Sequence, residues 1–231
     1  MGRRIFAGEP VDAIDDLIGW EKEGAFKVMK SLDAAQLNER DGYKLLIGSI
    51  LPRPIALVTT LTAGGTVNAA PFSYFNIVTA NPPLISISVQ RKQGEMKDTA
   101  RNAVASGEFV VHISDETYVD QMNITAANLE PEESEVELAG LTTVASSKVS
   151  VPGIAEARIR MECVLEQVIP LGEKDGATAC DLLIGRVVYF HVDDELYDNG
   201  RIKVQELKPV SRLAGSDYAK LGETFSLDRP N

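Results

Sequence analysis

Apolar and β-branched residues run almost without interruption through residues 55–62, and the run ends at the turn 63–66, where Gly64 and Gly65 stand together. This pattern predicts a buried strand, and the glycine-rich turn predicts a hairpin whose returning strand is 67–72. Alternating or short apolar runs predict further strands at 84–89, 108–114, 157–169 and 180–192. In 157–169 the alternation puts Cys163 on the apolar face and Glu162 on the polar face.

Helical spacing occurs mainly near the N-terminus. Residues 10–40 carry apolar side chains at that spacing, with a second short helix expected over Asp33 to Arg40. Two helices are predicted among the strands: 98–106, with Asp98 or Thr99 in the capping position, and Asp115 to Ala127. The acidic segment 129–140 is interpreted as a solvated connection whose charge needs no functional explanation.

Strands therefore outnumber helices, and the short connections between them favour antiparallel pairing. The predicted fold is mainly β, a closed or partly closed β-barrel with a few peripheral helices. We expect two parts: a helical N-terminal extension over residues 1–42 and one barrel domain over residues 43–231. A chain of this length can bury a sizeable core without a metal or a disulfide.

The net charge and the cysteines indicate which ligands and which cellular compartment are expected. The 34 acidic and 23 basic side chains give a net charge of −11, which disfavours nucleic acid as a ligand. No apolar run reaches membrane-spanning length, and the first residues lack an apolar signal core. Cys163 and Cys180 form no metal-binding pattern, which favours free buried thiols in a reducing compartment. We expect a cytoplasmic protein that binds neither nucleic acid nor membrane.

The motifs of nucleotide hydrolysis, dinucleotide binding, serine hydrolysis and zinc proteolysis are absent from the sequence. Its two histidines, His112 and His191, each fall inside a predicted strand. We interpret both as half-buried strand residues rather than catalytic or metal-binding groups.

Positive charge concentrates beside one predicted helix start, at Arg91, Lys92, Lys97 and Arg101. Free N–H groups and the positive dipole end of a helix, with a nearby lysine, suit a phosphate monoester. An ordinary solvated helix with a capping aspartate explains the same residues and, taken alone, is the better interpretation.

The segment 68–88 changes that balance. Pro71, Pro82 and Pro83 interrupt a run of hydroxyl, small and aromatic residues. Since proline cannot donate to a strand ladder, the strand is expected to leave the ladder at Pro71 and to free backbone groups for a ligand. A planar heteroaromatic ring with a phosphate tail would suit both features. Alternatively, the aromatic residues of 72–75 only fill the core.

The ordered segments PRPIALVTT, GG, NAAPFSYFN, NPPLISISV, MKDTARN and EFVV resemble the flavin reductase-like FMN-binding split-barrel family. The resemblance covers roughly residue 45 to the C-terminus, where KPVSRLAGSDYA is similar to the family's closing segment. It implies a six-stranded Greek-key split barrel, a homodimer and FMN near the subunit interface.

The resemblance also implies cofactor-binding residues. Arg53, Thr59 and Thr60 would lie along the flavin or its ribityl chain, and Ser73, Tyr74, Phe75 and Asn76 would hold the isoalloxazine edge. Ser88, Lys97, Asp98 and Thr99 would surround the phosphate. No catalytic side chain and no metal ligand is expected, because flavin N5 itself accepts hydride.

The expected function is that of an FMN-dependent oxidoreductase, a reductase that takes hydride from NAD(P)H and passes electrons to a second flavin or a small acceptor. Two alternatives stay open: an FMN-binding electron carrier that a separate reductase reduces, and a split barrel that binds another ligand. Many reductases of the family have a histidine where this chain has Asp181, which weakens the transfer of nicotinamide handling. The N-terminal extension is also longer than that of the short reductases.

Overall fold

The computed structural model describes residues 29–173 and 176–230. The chain divides between Gly42 and Tyr43, and the cavities and site residues described below lie in the unit that begins at Tyr43. Most of the predicted helical extension, including all of 10–28, falls outside the described residues.

The described helices are α1 (Glu39–Ser49), α2 (Asp98–Ser106), α3 (Val119–Ile124), α4 (Glu135–Leu138) and α5 (Val204–Leu207), with a short 3-10 helix at Ala34–Gln36. The strands are β1 (Arg53–Pro54), β2 (Ala56–Leu61), β3 (Val67–Phe72), β4 (Phe75–Ala80), β5 (Pro83–Gln90), β6 (Glu108–Ile113), β7 (Thr143–Val144), β8 (Gly153–Ile154), β9 (Ile159–Leu171), β10 (Cys180–Val192), β11 (Tyr197–Asp198), β12 (Arg201–Ile202), β13 (Val210–Arg212) and β14 (Tyr218–Lys220).

The main sheet is antiparallel throughout, in the order β3-β2-β6-β9-β10-β5-β4. The mainly β class and the six predicted strands are confirmed. The expected count of six is one short, because β4 was not predicted. Separately, β1 pairs with β13, and β13 with β14, which brings the C-terminal hairpin to the start of the domain.

The chain does not leave the ladder at Pro71, so that expectation was wrong. Pro71 lies in β3 opposite Leu57. Because β3 is an edge strand, a residue without an N–H donor can occupy it when its nitrogen faces away from β2. The chain then turns at Ser73 and Tyr74 and enters β4 at the other edge of the sheet.

The largest core cluster lies between α2 and the sheet. Phe109 of β6 is fully buried there and packs across Gly185 of β10, where any Cβ would collide with its ring. Gly185 also lies at an irregularity in the β9–β10 register. Close packing therefore requires glycine at this position.

Helix boundaries differ from the predictions more than strand boundaries do. Helix 98–106 is confirmed, but its N-cap is Lys97 rather than Asp98 or Thr99. In place of one helix over Asp33–Arg40, the 3-10 helix is followed by α1, which begins after Asn38 because that side chain accepts from Asp41 N. Of 115–127 only α3 is helical, since Asp115 Oδ1 accepts from Thr117 N and holds a turn.

The buried polar residues include two that the sequence placed elsewhere. Glu162 is fully buried, where it accepts from Ser147 N and Lys148 N at 2.6 Å each, and its pKa is lowered because these bonds and His191 outweigh desolvation. His112 is fully buried rather than half-buried. Both cysteines are free thiols; Cys163 is buried and Cys180 half-buried. No helix in the described part of the chain is long and apolar enough to cross a membrane.

Candidate functional site

Two adjoining cavities lie beside the N-terminus of α2. The first, which we call the tyrosine cavity, has a volume of 430 Å³ and is bordered by Tyr43, Tyr74 and Tyr218. The second, the helix cavity, also has a volume of 430 Å³ and includes the first turn of α2 in its wall. Pro71, Lys97 and Ala126 border both cavities, so Lys97 stands where they meet.

The tyrosine cavity is strongly cationic for so acidic a chain. Arg53, Lys97 and Arg212 line it, and no Asp or Glu is among the described residues that do so. Arg53 is only 7% exposed. Its guanidinium donates to Ile47 O, Ile50 O and Leu213 O at 2.7–2.9 Å, and has no carboxylate partner in the described chain. A buried positive charge whose short hydrogen bonds all go to carbonyls, with one longer bond of 3.5 Å to Ser73 Oγ, favours an anionic or electron-rich ligand nearby.

Three carbonyls fix the Arg53 side chain from two directions. Two of them are near the C-terminal end of α1, where the helix dipole favours a cation, and the third belongs to the C-terminal hairpin. Arg212 stacks on the Tyr218 ring at 4.5 Å, and Tyr218 donates to Asn123 Oδ1 at 2.8 Å. Burial and the nearby Tyr43 raise the pKa of Tyr74, so its phenol stays protonated.

The helix cavity has mixed charge. Lys92, Lys97 and Arg101 border it together with Glu95, Asp98 and Glu135. Arg101 forms an ion pair with Asp98, whereas Lys92 and Lys97 have no ion-pair partner in the described chain. The floor contains Thr99, whose hydroxyl donates to Asn68 Oδ1 at 3.1 Å. The cavity can therefore hold a ligand that has both an anionic group and hydrogen-bond donors.

The predicted basic cluster is only partly available to such a ligand. Arg91 is engaged by Asp181, which is 1% exposed, through two bonds of 2.9 and 2.7 Å. Arg91 also donates to Gly94 O at 3.1 Å. Asp181 in β10 thus anchors to the sheet the turn that contains Lys92. Both of its carboxylate oxygens accept hydrogen bonds from Arg91.

The match to a family model, the flavin reductase-like domain, spans residues 47–206. This is more than half of the chain. The chain belongs to the flavin reductase-like domain family. The chain is accordingly a flavin-related oxidoreductase.

Individual relatives support this assignment. Nitrilotriacetate monooxygenase component B from Bacillus cereus is 64% identical, with a TM-score of 0.85 over 87% of this chain and 99% of its own. The 2-nitrobenzoate 2-nitroreductase NbaA of Pseudomonas fluorescens is 32% identical, with a TM-score of 0.78 over 87% and 96% of the two chains. The uncharacterised protein YwrF of Bacillus subtilis is 58% identical over 88% of this chain and 100% of its own. The predicted family is confirmed. The split-barrel fold is confirmed as well, since a split-barrel protein from Shewanella frigidimarina shares it at a TM-score of 0.74 and 22% identity, over 85% of this chain and 96% of its own.

For this flavin reductase-like chain, the structure brings six of the predicted site residues to the two cavities. Arg53, Ser73 and Tyr74 border the tyrosine cavity, Asp98 and Thr99 border the helix cavity, and Lys97 borders both. A ligand that has a flat ring and a phosphate could contact all six by occupying both cavities.

The other five predicted residues line neither cavity. Thr59 and Thr60 are fully buried, and their hydroxyls donate to Pro152 O and Asn68 Oδ1 respectively. Phe75 packs against the core, Asn76 accepts from Ile77 N, and Ser88 accepts from Gln90 Nε2. These side chains are already engaged within the described chain, so their contact with flavin stays a prediction.

Sequence reasoning missed several cavity residues. Tyr43, Asn123, Arg212 and Tyr218 border the tyrosine cavity but were not selected. The signal for two of them was present, since the closing segment KPVSRLAGSDYA contains Arg212 and Tyr218. Neither cavity contains a histidine. His112 donates from Nδ1 to Leu57 O and accepts at Nε2 from Ile154 N, and burial lowers its pKa to about 4.

Proposed function

We propose that this protein is an FMN-dependent reductase that takes hydride from NAD(P)H and passes electrons to a second flavin or a small acceptor. The observation that carries the proposal is the tyrosine cavity: the described residues that line it supply three aromatic rings and three cations but no carboxylate, in a chain of net charge −11. A planar ring that gains negative charge on reduction, joined to a phosphate, matches that chemistry.

The residues fit FMN as a group that spans the two cavities. The isoalloxazine ring would lie in the tyrosine cavity between Tyr74 and Tyr218, and the phosphate would lie in the helix cavity at Lys97 and the first turn of α2. The flavin, when bound, supplies the hydride-accepting atom N5. The protein binds and orients it: Arg53 and Arg212 hold positive charge at the ring cavity, and the tyrosines limit the access of water.

FMN is favoured over FAD by the same arrangement. One phosphate can meet Lys97, but a second would have to find cations in a cavity whose wall also carries Glu95, Asp98 and Glu135. The negative charges of these three carboxylates would repel a second phosphate in the same cavity. FAD should therefore bind more weakly than FMN, and equal affinity for both would contradict the assignment of the helix cavity to a monoester.

The transfer of electrons onward is supported by the 64% identical protein, which is component B of a monooxygenase. A lettered component implies at least one other component in that system. By analogy, we propose that this chain supplies electrons to an acceptor outside itself.

We also propose a homodimer. The edge strand β4 leaves Ile77 74% exposed and Val78 49% exposed. Leu46 in α1 and Ile50 just after it are 61% and 60% exposed. An unpaired apolar edge is normally covered by a partner. Sedimentation at micromolar concentration should give twice the monomer mass; a monomer that still binds FMN would contradict this.

The deciding experiment is anaerobic reduction. The purified protein, loaded with FMN, is mixed with NADH or NADPH, and the flavin absorbance is followed. Bleaching on the timescale of turnover is expected. If FMN binds but neither nucleotide bleaches it, while a chemical reductant does, the electron-carrier alternative is correct. Failure to bind any flavin would overturn the proposal.

A further inference from the structure

Glu135 does not behave as a member of a solvated acidic connection. It begins α4, is only 6% exposed, and borders the helix cavity, whereas its neighbours Glu132 and Glu133 are exposed. Burial of a carboxylate is costly unless hydrogen-bond donors meet both oxygens. The position of this side chain therefore requires an explanation.

One oxygen is fully accounted for. Glu135 Oε2 accepts from Asn68 Nδ2 at 3.0 Å and from Ala69 N at 3.1 Å. The Asn68 amide group cannot flip without losing hydrogen bonds, because its Oδ1 already accepts from the hydroxyls of Thr60 and Thr99 at 3.2 and 3.1 Å. This network fixes both the carboxylate and the direction of its inner hydrogen bonds.

The other oxygen has no such partner. No described residue donates to Glu135 Oε1, and no cation of the described chain lies within ion-pair distance of it. This oxygen is not fully buried either. The fully buried side-chain atoms of the described chain that lack a hydrogen-bond partner are Ser114 Oγ and Asp115 Oδ2, and Glu135 Oε1 is not among them. Oε1 thus keeps a small access to its surroundings, and the cavity that Glu135 borders is the helix cavity.

We propose that Glu135 is a ligand-binding residue whose Oε1 accepts hydrogen bonds from the hydroxyls of a sugar-like chain. The ligand must carry donors for Oε1 and an anionic group for Lys97 within the same 430 Å³ cavity, and a phosphorylated polyol has both. The inference rests on the proposed function, which supplies two sources of such a chain: the ribityl chain of the flavin and the ribose of the nicotinamide nucleotide.

The test uses Glu135→Gln and two flavins. Since Asn68 Nδ2 and Ala69 N both donate inward, the glutamine oxygen must face them, and its NH₂ replaces Oε1 at the cavity. Riboflavin and lumiflavin share one ring, but lumiflavin has a methyl group in place of the ribityl chain. We expect Glu135→Gln to weaken riboflavin about fivefold to tenfold and to leave lumiflavin unchanged, because the hydroxyls lose a charged acceptor and must instead accept a neutral hydrogen bond from the NH₂ group.

Glu132→Gln is the matched control. Glu132 lies three residues away and carries the same charge, but it is exposed to solvent and borders neither cavity. It should change the affinity for neither flavin. If Glu135→Gln is too unstable to titrate, Glu135→Asp keeps the carboxylate but withdraws it by one methylene, and the same loss confined to riboflavin is expected.

A loss confined to riboflavin supports the proposal with the ribityl chain as the source. Unchanged riboflavin affinity with a KM for NAD(P)H raised fivefold to tenfold at constant kcat supports it with the nucleotide ribose as the source. Equal losses for riboflavin and lumiflavin, or no change in flavin affinity and in KM, overturn it while the flavin assignment stands. A wild-type protein that binds no flavin overturns the proposed function and this inference together.

Discussion

Lys97 gives the sharpest test of the proposed phosphate position. It occupies the N-cap of α2 without a side-chain capping bond, borders both cavities, and has no ion-pair partner in the described chain. Removal of its ammonium therefore breaks no ion pair in the described fold and should cost little stability. If it meets the FMN phosphate, Lys97→Ala should weaken FMN binding and leave the free energy of unfolding of the apo-protein almost unchanged.

The size of the effect follows from the exposure of the side chain. A hydrogen bond to a charged group is worth about 1.5–3 kcal/mol, and partial solvent screening of the exposed Lys97 favours the lower end. We expect a loss of about 1.5 kcal/mol, which is roughly tenfold in Kd. Riboflavin, which has no phosphate, should bind the variant and the wild type equally.

Fluorescence titration of both proteins with both flavins measures this directly. Lys203→Ala is the matched control, because it removes the same charge at a residue that borders neither cavity and donates to Glu195 O. If Lys97→Ala weakens riboflavin as much as FMN, Lys97 acts on the ring or on the fold. If neither ligand is affected, α2 is an ordinary solvated helix and the phosphate lies elsewhere.

The strands were predictable because their evidence is local. In β2 the run from Ala56 to Thr60 is buried on both faces, and a continuous apolar or β-branched run indicates such a strand without knowledge of its neighbours. The same burial explains why Thr59 and Thr60 were selected as ligand contacts and yet lie inside. The sequence shows that a hydroxyl is present, but not whether a backbone carbonyl or Asn68 has already engaged it.

The features that could not be predicted from the sequence depend on contacts between residues far apart in the chain. Glu135 reads as one more acid in a charged connection, and only the fold brings it to Asn68 and Ala69, more than sixty residues away in the chain. The edge position of β3, which lets Pro71 stay in the ladder, is likewise set by the order of all seven strands. Local pattern fixes the type of an element, whereas its neighbours decide which of its side chains reach a ligand.

Three further predictions test the fold around the site. Gly185→Ala should lower the free energy of unfolding in urea by about 1–3 kcal/mol through overpacking, whereas Gly48→Ala, in the open helix α1, should raise it slightly; equal effects would contradict the packing. Asp181→Asn should lower the free energy of unfolding, because Arg91 loses both charged hydrogen bonds to a carboxylate that is 1% exposed, and an unchanged free energy would place that pair among weak surface contacts. His112, fully buried with a pKa lowered from 6.5 to about 4, stays neutral in the folded state while the unfolded chain takes up a proton below its ordinary pKa. The unfolded state then binds more protons, so the free energy of unfolding should fall as the pH drops from 6.5 to about 4, by about 3 kcal/mol more than in His112→Gln. Urea unfolding across that range decides the matter, and parallel pH profiles for the two proteins would refute the assignment of a neutral buried imidazole.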